Sequence, residues 1–115
     1  MAVTPLATTF DCADPAALAR FWAALLGTDV DPPAFPGAAT VGAHTGGPFY
    51  LFQRVRERPG GPNRVHLYFT SDDLEAETDR LVRLGARVVR EVEDRGLRYT
   101  TFEDPEGNRF AVSVD

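Results

Sequence analysis

Apolar positions along the chain change period several times, and the changes come in the same order twice. Residues 3–12, VTPLATTFDC, are rich in β-branched and apolar side chains and predict a strand. Asp14-Pro15 then opens a helix, because aspartate is a strong N-cap and proline is tolerated at the first helical position. Leu18, Phe21, Trp22, Leu25 and Leu26 follow at i, i+3, i+4, i+7 and i+8, one apolar stripe, and Gly27 ends it. Pro32, Pro33, Pro36 and Gly37 make an irregular connection to strands predicted over 38–43 and 48–55, with HTGG as the turn between them. RERPGGPN, residues 56–63, is the stretch richest in turn residues and marks the midpoint. NRVHLYFT, residues 63–70, reads as a strand. SDDLEAETDRLVRLG reads as a second helix, with Asp72 as its expected cap, Glu75 placed for a capping box, and Leu74, Thr78, Leu81 and Leu84 on its buried side. Gly85 closes it. ARVVREV, LRYTTFED and RFAVSV are three further predicted strands, the last two joined by a tight DPEGN turn.

The order is therefore β-α-β-β-β, twice. Asp14 and Asp73 each stand at a helix start 59 residues apart, and Gly27 and Gly85 each stand at a helix end 58 apart. The expected fold is α+β, two βαβββ modules spanning about 1–57 and about 63–115. Halves of this size are marginal alone, so one domain of 1–115 is expected.

Charge and composition narrow the function classes. A net charge of −5 argues against a nucleic-acid partner, although arginines gather at Arg54, Arg56, Arg58 and Arg64. The lone cysteine, Cys12, cannot form an intramolecular disulfide and suits a reducing compartment. No signal peptide and no apolar run of membrane-spanning length is read, so a cytoplasmic location and no membrane partner are expected. Every basic residue is an arginine. There are 2 histidines, and His66 stands in a predicted strand, where it is a metal ligand, a general base or a polar group that found a partner.

DPAALARFWAALLG resembles the first-helix signature of the vicinal oxygen chelate superfamily, which includes glyoxalase I, bleomycin-resistance proteins and extradiol dioxygenases. NRVHLYFTSDDLEAETDRLVRLGARVV and FEDPEGNRFAV resemble its second half, and the small glyoxalase-like group is the nearest match. The resemblance implies a cupped mixed sheet built from the two modules, a ligand site inside the cup, and pairing of chains into a homodimer. It also implies metal ligands on four inner strands. The histidine position of the second module falls on His66, seven residues before Asp73. The equivalent in the first module is Ala7. The carboxylate position after DPEGNRF is Ala111, and the fourth falls near Leu51, with Gln53 as the other candidate.

A divalent metal needs three or four converging His, Cys or carboxylate donors. These positions supply one. Asp11 lies roughly 13 Å beyond Ala7 along an extended strand, and His44 falls in a turn. No metal and no other cofactor is expected, and neither is glyoxalase or dioxygenase chemistry that uses a metal as Lewis acid.

Alternation then fills the expected cup. Ala7 inward brings Thr9 and Asp11; Leu51 brings Phe49 and Gln53; His66 brings Arg64 and Tyr68; Ala111 brings Arg109 and Ser113. Phe49 and Tyr68, with Phe35 and Tyr50, are candidate aromatic walls. This lining suits metal-independent binding of a small, partly apolar organic molecule. The alternative is a metal-free isomerase, lyase or cyclase with His66 as acid or base. A third reading is a subunit that only packs against a partner protein. Core packing for Phe21 and Trp22, and turn chemistry for Asp104, Gly107 and Asn108, are the expected roles of those residues.

Overall fold

Five alanines among the twelve residues of the first helix favour helix formation before any packing is counted. Asp14 caps it, with its Oδ1 accepting from the Ala17 N–H at 3.2 Å, and Pro15 takes the first position. At the other end Gly27 sits at φ 73°, where a glycine carries no steric penalty. There Thr28 N–H donates to Ala23 O and Gly27 N–H to Ala24 O, which satisfies two carbonyls the helix would leave open. The second helix ends the same way at Gly85, φ 119°, with Ala86 N–H donating to Leu81 O and Gly85 N–H to Val82 O. The repeat read from sequence spacing is thus a repeat of hydrogen bonds.

The computed structural model describes residues 2, 4–33, 35–56, 63, 65–94 and 96–114. The chain divides into two units, Met1–Pro59 and Gly60–Asp115. In the first, β1 (Ala7–Cys12), α1 (Pro15–Leu26), β2 (Ala38–Val41) and β3 (Phe49–Arg54) form a three-stranded sheet of order β1-β3-β2 under one helix. β1 runs parallel to β3, and β2 is antiparallel to it. α1 packs on β2 and β3. The core between them is aromatic: Trp22 lies 5.0 Å from Phe10 and 6.4 Å from Tyr50, and Phe10 stacks on Phe52 at 5.1 Å. Leu18, Phe21 and Trp22 are buried as the stripe predicts, whereas Leu26 is exposed. Cys12 is buried with its thiol toward Gln53 O, an inert position.

In the second unit, β4 (Leu67–Ser71), α2 (Leu74–Leu84), β5 (Arg87–Asp94), β6 (Leu97–Glu103) and β7 (Arg109–Val114) form a four-stranded mixed sheet of order β4-β7-β6-β5. Phe102 stacks on Phe110 at 5.3 Å, and Phe69 meets Phe110 edge-on at 6.2 Å. Leu74 and Leu81 of α2 are buried, while Leu84 is exposed. The cap of α2 is Asp73, not Asp72. Asp73 Oδ1 accepts from Ala76 N–H at 3.0 Å, and Ser71 Oγ accepts the Asp73 N–H at 3.1 Å. The expected capping box is absent because a helix capped at Asp73 has Ala76 at its third position, and Glu75 pairs with Arg98 at 2.9 Å. The turn-rich stretch at 56–63 falls mostly outside the described residues.

The two units differ by one strand. The edge strand β5 has no described counterpart in the first unit, where residues 28–33 run without regular pairing. One ladder-like bond remains, Asp31 N–H to Thr40 O at 2.9 Å. Pro32 and Pro33 follow and have no N–H to continue it. The Asp31 side chain holds this segment to β2, with Oδ2 accepting from Thr40 Oγ1 and from Ala43 N–H, each at 2.8 Å. Burial works against the carboxylate, but these hydrogen bonds and that of Gly42 N–H hold its pKa below the ordinary value of 3.8. A lowered pKa means that the charged form stabilises the fold above pH 3.8, and that this contribution is lost as pH falls through the lowered value. Asp31→Asn is therefore expected to cost about 1 kcal/mol at pH 7 by urea denaturation. The gap to wild type should close below pH 3.8. A gap that persists there would mean that the charge contributes nothing.

Candidate functional site

Cross-strand pairing decides which residues share a face. In the second sheet Thr100, Phe102, Phe110 and Val112 share one face and are buried where α2 packs on β6 and β7. The opposite face is not covered by α2. Its middle row is Tyr68, Ala111, Thr101 and Arg90, paired across four strands. A second row is Thr70, Ser113, Tyr99 and Val92. A third begins at Arg109, Glu103 and Arg87; His66, expected in the strand, lies just ahead of β4, two residues before Tyr68. Tyr68 is 63% exposed, and its ring lies 6.1 Å from that of Tyr99. Beneath them Ala111 is 2% exposed, a small floor between larger side chains.

His66 finds its partner in the backbone: Nε2 lies 2.7 Å from Asn63 O. A carbonyl oxygen only accepts, so Nε2 carries the hydrogen and Nδ1 holds the lone pair. Asn63 in turn ties this corner to β7. Its Oδ1 accepts from Arg109 N–H at 2.7 Å, and its Nδ2 donates to Arg109 O at 3.2 Å and to Val65 O at 2.6 Å. At the far end of the row Glu103 accepts from Arg87, while Arg109 Nε lies 3.6 Å from Glu103 Oε2. Of the candidates read from the sequence, the second sheet brings together Tyr68, Arg109 and Ser113, with His66 just ahead of β4. Arg64 lies outside the described residues.

The uncovered face of the first sheet holds the remaining candidates. Ala7 pairs with Phe49, Leu51 lies between Thr9 and Thr40, and Gln53 lies between Asp11 and Ala38. Gln53 Nε2 donates to Asp11 Oδ1 at 2.7 Å, so these two partner each other. Tyr50 is on the helix side, stacked on Trp22, and supplies no wall on this face. Phe35 is exposed. The registers also settle the fourth ligand position. Leu51 opposes Thr9 as Ala111 opposes Tyr68, so Leu51, not Gln53, is the equivalent of Ala111.

The four positions where the superfamily places a metal thus hold Ala7, Leu51, His66 and Ala111. Three have no donor atom, and the fourth has one nitrogen engaged by a carbonyl. Among the described residues no cluster of three or more His, Cys, Asp or Glu could hold a metal ion. The donor set does not fit one.

Sequence comparison decides the family. Residues 7–113 match the model of the glyoxalase-like domain. The chain belongs to the glyoxalase-like domain family. Solved structures agree on the fold of this glyoxalase-like protein. A glyoxalase/bleomycin resistance protein/dioxygenase family enzyme from Burkholderia phytofirmans PsJN superposes with TM-score 0.80 at 16% identity, covering 97% of this chain and 98% of its own. A hypothetical protein from S. aureus gives 0.79 at 16%, covering 100% and 95%. The oxidase ChaP-H1 gives 0.69 at 22%, covering 99% and 98%. At these identities the likeness is one of fold, and the vicinal oxygen chelate architecture expected from the sequence is present as two small mixed sheets and two helices. No curated protein sequence matches the chain significantly. No helix of the described residues is long and apolar enough to cross a membrane.

Alternation in LRYTTFED carried the information that Tyr99, Thr101 and Glu103 share the uncovered face. Sequence reasoning on β7 and β4 alone missed them. Asn63 had no signal beyond its place in a turn. The helix side offers a separate groove of about 330 Å³ between α2 and β5–β6. It is acidic, lined by Glu75, Asp79, Glu91 and Glu93, and its Arg98 is already paired with Glu75.

Proposed function

We propose that this glyoxalase-like protein binds a small, partly apolar organic molecule without a metal, on the uncovered face of the second sheet. The observation that carries the reading is Tyr68, largely exposed, standing against Tyr99 over the small floor of Ala111, Ser113 and Thr101. An exposed aromatic side chain beside a recess of small residues offers a stacking surface, with hydroxyls to orient what stacks. The lack of donors at three of the four superfamily positions supports the metal-free half of the reading. The structural neighbours include a glyoxalase/bleomycin resistance protein/dioxygenase family enzyme and an oxidase, so the fold alone does not choose between binding and chemistry.

The second reading is acid–base catalysis by His66. The Asn63 carbonyl favours it, because it selects the tautomer that leaves Nδ1 basic, the arrangement a general base needs.

One experiment separates them. Bleomycin and a panel of planar aromatic compounds are titrated while amide resonances of Tyr68, Thr101 and Ala111 are followed, with and without EDTA. Binding that ignores EDTA and weakens about tenfold in Tyr68→Ala supports the binding reading. A compound that is turned over by wild type but only bound by His66→Ala supports catalysis instead. Shifts that vanish with EDTA would overturn the metal-free reading.

A further inference from the structure

We propose that the occupant of this face is anionic, an aromatic carboxylate whose charged group is held by Arg109. The inference rests on the binding reading above and names the chemistry of the ligand.

The charge balance of the protein makes the face unusual. The chain carries a net charge of −5, yet among the described residues this face presents the positions of Arg87, Arg90 and Arg109 against two carboxylate positions, Glu103 and Asp94. Glu103 is engaged by Arg87. Arg90 makes no hydrogen bond or ion pair among the described residues and is exposed. Four further acidic side chains, Glu75, Asp79, Glu91 and Glu93, stand around the helix-side groove. An anion is therefore drawn to the uncovered face and repelled from the groove.

Arg109 is the group on which the inference turns. Its Nε is buried and has no hydrogen-bond partner, since Glu103 Oε2 at 3.6 Å is beyond hydrogen-bond reach. Nε itself is shielded, so an incoming acceptor meets the terminal nitrogens of the guanidinium, which make no hydrogen bond among the described residues. The side chain is 36% exposed, which leaves part of the guanidinium open to solvent. Asn63 clamps the Arg109 backbone from both sides, so the side chain projects from a fixed point. A guanidinium presents parallel N–H donors that match the two oxygens of a carboxylate. Tyr68 stands one row away and Tyr99 two rows away, and both suit a flat ring. A planar aromatic acid meets both demands at once, with its ring on the tyrosines and its carboxylate at Arg109.

The test compares 2-naphthoate with its neutral isostere 2-naphthamide, using amide shifts of Tyr68, Thr101 and Ala111 in wild type, Arg109→Gln and Arg109→Lys. In wild type, naphthoate is expected to bind at least about tenfold more tightly than naphthamide, because a charge-assisted pair is worth about that much. Arg109→Gln should erase the difference by weakening naphthoate alone. Arg109→Lys should restore only part of it, since it returns the charge without the fork. Added salt should narrow the difference in wild type. The wild-type comparison stands even if a variant folds poorly. Equal binding of the two compounds at these amides would overturn the anion inference and leave the binding reading intact. Binding of neither at millimolar concentration would overturn both.

Discussion

Trp22→Ala is expected to cost about 3–5 kcal/mol, the range for emptying a large aromatic from a packed core. Trp22 is fully buried and is the hub of the first unit, in ring contact with Phe10, Phe21 and Tyr50. These residues come from β1, α1 and β3, so the cavity would loosen the contacts that tie the helix to β1 and β3. A domain of ordinary stability has about 5–15 kcal/mol to lose, so the variant should be partly unfolded near body temperature. Far-ultraviolet circular dichroism through a urea titration measures the loss, since Trp22 is the only tryptophan and its fluorescence disappears with it. Trp22→Phe keeps a ring in the space and should lose less than half as much. A loss under about 1.5 kcal/mol for the alanine variant would mean that the core refills.

The second large effect is predicted at Asp104, a buried carboxylate in the turn between β6 and β7. Its Oδ1 accepts from Glu106 N–H and Asn108 N–H, each at 2.9 Å, and its Oδ2 from Asn108 Nδ2 at 2.9 Å. Asp104→Ala leaves these donors unmet and should cost about 3 kcal/mol, at about 1 kcal/mol per bond. Asp104→Asn keeps the two backbone bonds and should lose about a third of that. The consequence reaches the site, because this turn sets the pairing of Glu103 with Arg109 and of Thr101 with Ala111. A one-residue slip would turn Arg109 and Ala111 to the helix side. Amide shifts of Thr101 and Ala111 in Asp104→Ala are therefore expected to move more than those of β4. Shifts confined to the turn would show that the register is held by the strands alone.

Period and punctuation made most of the fold legible. Asp14, Pro15 and Gly27 mark one helix and Asp73 and Gly85 the other, because caps are local hydrogen-bond problems that a few residues solve. Asp72 was the wrong choice within a pair of adjacent aspartates. Either could cap by composition, and only the backbone angle of Asp73, with Ser71 reaching its N–H, decides. The first module's missing strand was visible as Pro32-Pro33, yet symmetry with the second module argues the other way. Proline chemistry won over the repeat. Alternation agrees with the strand registers in putting Tyr68, Arg109 and Ser113 on one face, while His66 lies just ahead of β4. Tyr50 lies one residue off the Phe49–Leu51 face, and its neighbour Trp22 is distant in sequence, so nothing local assigned its packing. The engagement of Glu103 by Arg87 depends on strand pairing, and the unmet Arg109 Nε depends on atomic positions. Neither leaves a mark in a sequence pattern.

Pro32 and Pro33 have a further effect that concerns other molecules. An edge strand is a template on which a second chain can lay its own backbone, which is how β-rich proteins begin to aggregate. Alongside β2, Asp31 makes one bond to Thr40 and is then followed by two residues that cannot donate. An incoming strand meets a segment that is anchored by a carboxylate and has no regular row of N–H groups to offer. What this side of the sheet lost as a strand, it gained as protection against unwanted association during synthesis and refolding.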